Sequence, residues 1–360
     1  MYNHLWKRNW KHLQKIQLKG DDSLNIYDIS KKAGVSIATV SRVLNNSPHV
    51  SRATREKVMA VIDGCGYVPN AFARGLGLNT MKTIGLLCPD ASDPYLARAL
   101  AYLERSFRNC HYDCLLCCTG KGTEARREGV EQLKARHVDG MVLMGSSFIE
   151  DADQDNDYIR QAARSVPVIL LNGSFSCDQV YCVLCDDQRA TQEAALHLIQ
   201  SGCKRILYLY HSTNYSGRKK LAGYRAALES AGMAFDKQLL CHFEDDKAGV
   251  QNVRDRLVEL EKQGVTFDAV LASEDSLAMG AVKFARATGK SVPGDVSVIG
   301  YNNSTFCLWS EPEITSVDNK LEAICDRIVE TMMGVLNGRE MPQKTVFTAE
   351  LVLRESTRNA

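Results

Sequence analysis

The chain has 360 residues, 45% hydrophobic and 24% charged, which is the makeup of a soluble globular protein with two or three folded units. Disordered, collagen-like and fibrous classes are excluded. The 44 Lys+Arg and 43 Asp+Glu nearly cancel, yet residues 1–82 carry +8 and the remainder −7. A basic head on a mildly acidic body points to one module for a polyanion and another for something else.

Residues 1–23 form a basic extension, read either as a disordered arm or as a start assigned upstream of one near Leu24. No apolar run of signal-peptide length follows, and no uncharged stretch of about 18 apolar residues occurs anywhere. The expectation is therefore a cytoplasmic protein with no membrane partner.

From Asn25 three short helices are expected. Asn25 caps the first, with Ile26, Ile29 and Ala33 on one face and Gly34 at its end. Ser36 caps a second helix buried through Val40, Val43 and Leu44. A loop at 45–48 leads to Ser51, which begins a third helix running to about Cys65. Two helices joined at a glycine within about twenty residues make a helix-turn-helix.

After Lys82, apolar runs alternate with amphipathic stretches. Strands are expected at Ile84–Cys88, Tyr112–Cys118, Gly140–Met144, Val168–Leu171, Tyr181–Cys185, Ile206–Tyr210, Leu239–Phe243, Ala269–Ala272, Val296–Gly300 and in the run Val346–Leu353. Helices are expected at Pro94–Asn109, Thr123–Arg136, Arg189–Gln200, Lys219–Ala231, Gly249–Lys262 and Ser276–Thr288. This pattern implies two doubly wound parallel-sheet lobes, with ligands bound beyond the strands' carboxyl ends.

Thirteen cysteines suggest metal or redox chemistry at first sight. Cys177, Cys182 and Cys185 have C-x4-C-x2-C spacing, and Cys114, Cys117 and Cys118 cluster as well. Both groups lie in or beside strand-like runs, where cysteine behaves as a small hydrophobe. The expectation is core packing, with no metal and no cofactor. G-x-S-x-G, H-E-x-x-H and P-loop motifs are absent, so no catalytic residues are assigned and an enzyme is not expected.

Residues 25–76, NIYDISKKAGVSIATVSRVLNNSPHVSRATREKVMAVIDGCGYVPNAFARGL, resemble the DNA-binding head of the lac-repressor (LacI/GalR) family. KTIGLLCPD (82–90), EDSLAMGA (274–281) and VSVIGYNN (296–303) continue the likeness, which covers roughly residues 24–355. It implies a helix-turn-helix head at 24–68, a hinge helix and linker at 69–82, and a periplasmic-binding-protein-like body at 83–360. The expected lobes are 83–172 with 293–322, and 173–292 with 323–360.

The resemblance implies a transcriptional regulator, most simply a repressor, that binds a pseudo-palindromic DNA operator as a homodimer. A corepressed regulator or an activator is the alternative. No leucine-heptad tail of the tetrameric kind precedes Ala360. At the interface Ile37, Ala38 and Arg42 would face base edges, while Ser36, Thr39, Ser41, Asn45, Ser51 and Thr54 would contact phosphates. Tyr27 and Tyr67 would also lie there. Asn70, Ala73 and Leu76 belong to the hinge, and Leu76 would wedge into the minor groove.

The body would sense a small molecule, expected to be a sugar, through Asp93, Tyr95, Ser146, Arg218, Lys220, Asp275, Asn302 and Trp309. Asp275 leads this set because it lies in the best-matched motif. Two positions depart from the family. Lys220 stands three residues before Gly223 where arginine is common, and Asn302 stands where aspartate is usual.

Overall fold

The computed structural model describes residues 24–44, 47–67, 80–120, 122–244 and 248–358. The chain divides into two compact units between Met81 and Lys82.

In the first unit, α1 (Ile26–Ala33) opens on a capping box. The Asn25 side chain accepts from the Tyr27 and Asp28 amides, and Asp28 accepts from the Asn25 amide in return. Gly34 ends the helix at φ 59°, a left-handed turn open to glycine at little cost. That turn aims α2 (Ile37–Leu44), whose Thr39 amide donates to the Ser36 hydroxyl at 3.1 Å. Ser51 caps α3 (Arg52–Cys65), and Gly66 stops it at φ 60°. Ile29, Ala33, Val40, Val43, Val58 and Ile62 close one core among the three helices.

The second unit begins with β1 (Thr83–Cys88), α4 (Pro94–Asn109), β2 (Asp113–Cys118), α5 (Thr123–Ala135), β3 (Gly140–Met144), α6 (Asp157–Ala163), β4 (Val168–Leu171) and β5 (Val180–Cys185). It continues through α7 (Asp187–Gln200), β6 (Ile206–Tyr210), α8 (Tyr215–Ser230), β7 (Leu240–His242), α9 (Val250–Lys262) and β8 (Ala269–Ala272). Then come α10 (Asp275–Ala287), β9 (Ser297–Tyr301), α11 (Thr305–Trp309), β10 (Thr315–Asp318), α12 (Leu321–Leu336), β11 (Lys344–Phe347) and β12 (Glu350–Val352). One sheet has the order β11-β5-β4-β3-β1-β2, and the other β12-β10-β9-β8-β6-β7. Every pairing is parallel except β10 with β12. Helices cover both faces, so inner strands such as β3, β4, β5 and β8 are buried along their whole length and read as continuous apolar runs.

The lobe limits expected from the sequence are wrong. β5 pairs with β4, with Val168 opposite Val180, so residues 180–185 belong to the first sheet. β9 joins β8, and β10 joins β9, so residues 297–318 belong to the second. α12 seals the first lobe through Leu321, Ile324, Ile328 and Met332. The error has a physical cause, since two equally apolar sheets give no sequence signal of which strand pairs with which. The run expected as one strand at 346–353 is divided, with β11 in the first sheet and β12 in the second. The chain thus passes between lobes three times, at about residues 186, 319 and 348.

α7 and α8 pack closely where Gly223 meets the backbone of Gln188. A Cβ added there would collide with the Gln188 carbonyl oxygen. Gly223→Ala is therefore expected to lower the body's stability by about 1–3 kcal/mol in urea unfolding. An unchanged midpoint would show that the helix pair separates at little cost.

Seven cysteines, including Cys182, Cys185 and Cys203, are buried, and all thirteen are free thiols. Among the described residues no cluster of His, Cys, Asp or Glu is arranged to hold a metal. No described helix is long and apolar enough to cross a membrane.

Candidate functional site

The first unit presents the solvent side of α2. Ile37, Ala38 and Arg42 are exposed, Ser41 is half-buried, and all lie opposite the buried Val40 and Val43. Arg42 makes no ion pair among the described residues. Tyr27 is exposed, whereas Tyr67 is half-buried against the three-helix core. The Ser36 and Thr39 hydroxyls pair at 2.9 Å, as do those of Ser51 and Thr54 at 2.8 Å. These groups therefore sit at helix N-termini, where backbone amides also face outward. Asn45, Asn70, Ala73 and Leu76 lie outside the described residues.

The second unit contains a cavity of about 500 Å3 between the carboxyl ends of its two sheets. Almost every wall follows a strand. Asp90 follows β1, Ser146 follows β3, Asn172 follows β4, and Asp187 follows β5. From the other lobe, His211 follows β6, Glu274 follows β8, Asn302 follows β9, and Asn319 follows β10. Asp93, which caps α4, and Tyr95 complete one side, and Lys220 reaches in from α8.

Hydrogen bonds hold these groups in place. The Lys220 ammonium donates to the Ser273 carbonyl at 2.9 Å and lies 3.6 Å from the Tyr301 ring centroid. Burial pulls its pKa below the usual lysine value, against the opposing pull of Asp187 and Glu274. The Tyr301 and Ser216 hydroxyls each donate to Asp187, at 2.6 and 2.5 Å. Asn172 donates to the Tyr95 hydroxyl at 2.7 Å, and burial lifts that phenol well above its ordinary value. Asn319 donates to Asn302 at 3.1 Å. The remaining amide oxygens of Asn172 and Asn319 are buried and have no hydrogen-bond partner among the described residues. Asn172 and Asn302 hold φ of 59° and 93°, conformations asparagine tolerates better than most side chains.

Glu274 lies 3.0 Å from His211 and accepts from Ser276 at 2.5 Å. Burial raises its pKa, but those bonds and the His211 and Lys220 charges outweigh it and hold the carboxyl below the usual range. Asp93 shifts the other way, because burial raises it despite the bond from the Leu96 amide.

Five of the eight effector residues expected from the sequence therefore meet in the cavity: Asp93, Tyr95, Ser146, Lys220 and Asn302. Three do not. Asp275 is buried beneath it, accepting from Ser316 Oγ at 2.6 Å and the Ser304 amide at 2.7 Å, and ties α10 to β10. Glu274, one residue earlier, is the group that faces the cavity; a single step around the helix entry exchanges the two. Arg218 points away and pairs with Asp151 at 2.5 Å. Trp309 is 74% exposed on α11, edge-on to Phe306. Asp187, Asn172, His211 and Asn319 were missed, although a position just after a strand expected from the sequence marks three of the four. Asn319 follows β10, whose Thr315 and Ser316 disguise it as a polar turn.

A basic helix-turn-helix unit joined to a two-lobed body with a polar cleft defines a DNA-binding transcriptional regulator, not an enzyme. The chain belongs to the lacI family of bacterial regulatory proteins. Residues 25–70 match that family's model, and residues 81–355 match the model of periplasmic binding proteins and the sugar-binding domain of the LacI family. An HTH-type transcriptional regulator of Lachnoclostridium phytofermentans is 48% identical over 93% of this chain and 99% of its own. A lac repressor dimer solved with operator and the anti-inducer ONPF has a TM-score of 0.83 at 23% identity, covering 93% and 99% of the two chains. The transcriptional regulator CelR in complex with cellobiose has a TM-score of 0.67 at 28% identity, covering 92% and 99%.

Proposed function

We propose that this regulator is a cytoplasmic repressor, nucleoid-associated when bound, that grips a pseudo-palindromic operator as a homodimer and responds to a sugar in its cleft. The observation carrying the reading is the cavity itself. Its wall is set with fixed amide, hydroxyl, carboxylate and ammonium groups, which suits the dense hydroxyls of a neutral sugar. A sugar touching Asn172 on one side and Asn302 or Asn319 on the other would favour one arrangement of the lobes. That preference would reach operator affinity as a coupling free energy of about 1–3 kcal/mol.

The Ile37, Ala38 and Arg42 face would enter the major groove, with Ser36, Thr39, Ser41, Asn45, Ser51 and Thr54 on the phosphates. Tyr27, Tyr67, Asn70, Ala73 and Leu76 would extend the contact. The self-association surface is supported by Leu308 and Trp309, large apolar side chains left 54% and 74% exposed on α11.

A thermal-shift screen of neutral mono- and disaccharides, cellobiose included, tests the effector. A sugar present at about 100 times its Kd stabilises the native state by about 2.7 kcal/mol and raises the melting temperature by several degrees. Lys220→Met should lose that shift. A flat response of the native protein to every sugar would refute a sugar effector.

A further inference from the structure

β1 and β2 are parallel neighbours in register, with Cys88 directly opposite Cys118. Their Sγ atoms lie 3.9 Å apart. Adjacent strands run about 4.8 Å apart, which lies within the Cα separation a disulfide spans. Cys88 is buried and Cys118 exposed, so one thiol meets solvent while its partner waits behind it. Cys117 packs on the opposite face of the sheet, against the core of Leu87, Val130 and Leu133.

We propose that Cys88 and Cys118 are an oxidative modification site, a dithiol that a hydroperoxide converts to an intrachain disulfide. The Cys118 thiolate attacks one peroxide oxygen, the O–O bond breaks, and the departing hydroxide takes a proton to leave as water. Cys118 is then a sulfenic acid. The Cys88 sulfur attacks the Cys118 sulfur, the S–O bond breaks, and hydroxide leaves with the Cys88 proton as a second water. Two thiols have lost two electrons and one peroxide has become two waters.

The order of events follows from burial, which with the neighbouring Cys118 pushes the Cys88 thiol up to about 12 and keeps it protonated until its partner is oxidised. The bond would fix the end of β1 where the cleft wall starts. Pro89 and Asp90 line the cavity, and the Thr119 and Gly120 amides already donate to the Cys88 and Pro89 carbonyls, each at 2.9 Å.

The test uses the full-length reduced protein, treated with stepwise equivalents of hydrogen peroxide. Free thiols are then alkylated, and peptides are mapped by mass spectrometry without reduction. The expected result is loss of two hydrogens per chain, a peptide linking Cys88 to Cys118, and restoration of both thiols by dithiothreitol. Cys118→Ser, at an exposed position, should melt like the native protein and lose the link, while Cys117→Ser should keep it. Four outcomes would overturn the proposal: a link through Cys117, a Cys118 link between two chains, over-oxidised Cys118 beside an alkylated Cys88, or both thiols unchanged when other cysteines are oxidised.

Discussion

Asp187→Ala is expected to lower the body's unfolding free energy by about 3–5 kcal/mol, the largest effect of any single substitution in the cleft. Asp187 opens α7 just where the chain leaves the first sheet, and its carboxylate accepts from Tyr301 and Ser216 at once. Truncation leaves two hydroxyls without an acceptor and takes from the buried Lys220 the counter-charge of Asp187. Such a loss is a large share of the roughly 5–15 kcal/mol that holds a typical domain together. Asp187→Asn keeps one acceptor and should cost about 1–3 kcal/mol, the penalty of one unsatisfied buried group. Urea titration with a probe in the body measures both. A loss below about 1 kcal/mol for the alanine variant would mean that water replaces the carboxylate and that the network does not hold the lobes' junction.

The second large effect is on DNA. Arg42→Ala should remove about 1–3 kcal/mol of discrimination per half-site, because a guanidinium can donate twice to guanine O6 and N7. The selected operator logo should flatten at one base pair in each half and stay unchanged elsewhere. Lys32→Ala, which removes an exposed charge in the last turn of α1 whose ammonium donates to Cys65 Sγ at 3.3 Å, should instead weaken binding to all sequences alike and reduce the salt slope. If Arg42→Ala behaves like Lys32→Ala, Arg42 touches phosphate and the base is read by another residue.

The head was legible almost to the residue because its signals are local. Asn25, Gly34, Ser36, Ser51 and Gly66 cap or stop helices within a turn of themselves, and Ile29, Val40 and Val58 repeat at helical spacing. The body's strands were legible as apolar runs, and the rule that ligands gather beyond strand ends found five cleft residues. What the sequence hid is what depends on the third dimension. Thr315 and Ser316 are fully buried, their hydroxyls engaged by Thr357, Asp275 and the backbone, and so make a strand that reads as a loop. Asp275 and Glu274 stand side by side in the chain but serve packing and cavity respectively. Trp309 has the character of a sugar-stacking ring, yet a five-residue helix carries it to the surface.

The three passages between the lobes make a fulcrum of the cleft floor. Asp187 stands at one passage and Asn319 at another, so a guest that touches either side chain lies beside the pivot. A rigid beam turned at its pivot moves least at that point and most at its far ends. A rotation of the lobes about that floor would therefore leave the hydrogen bonds around a guest nearly unchanged while carrying the outer edges of the lobes further.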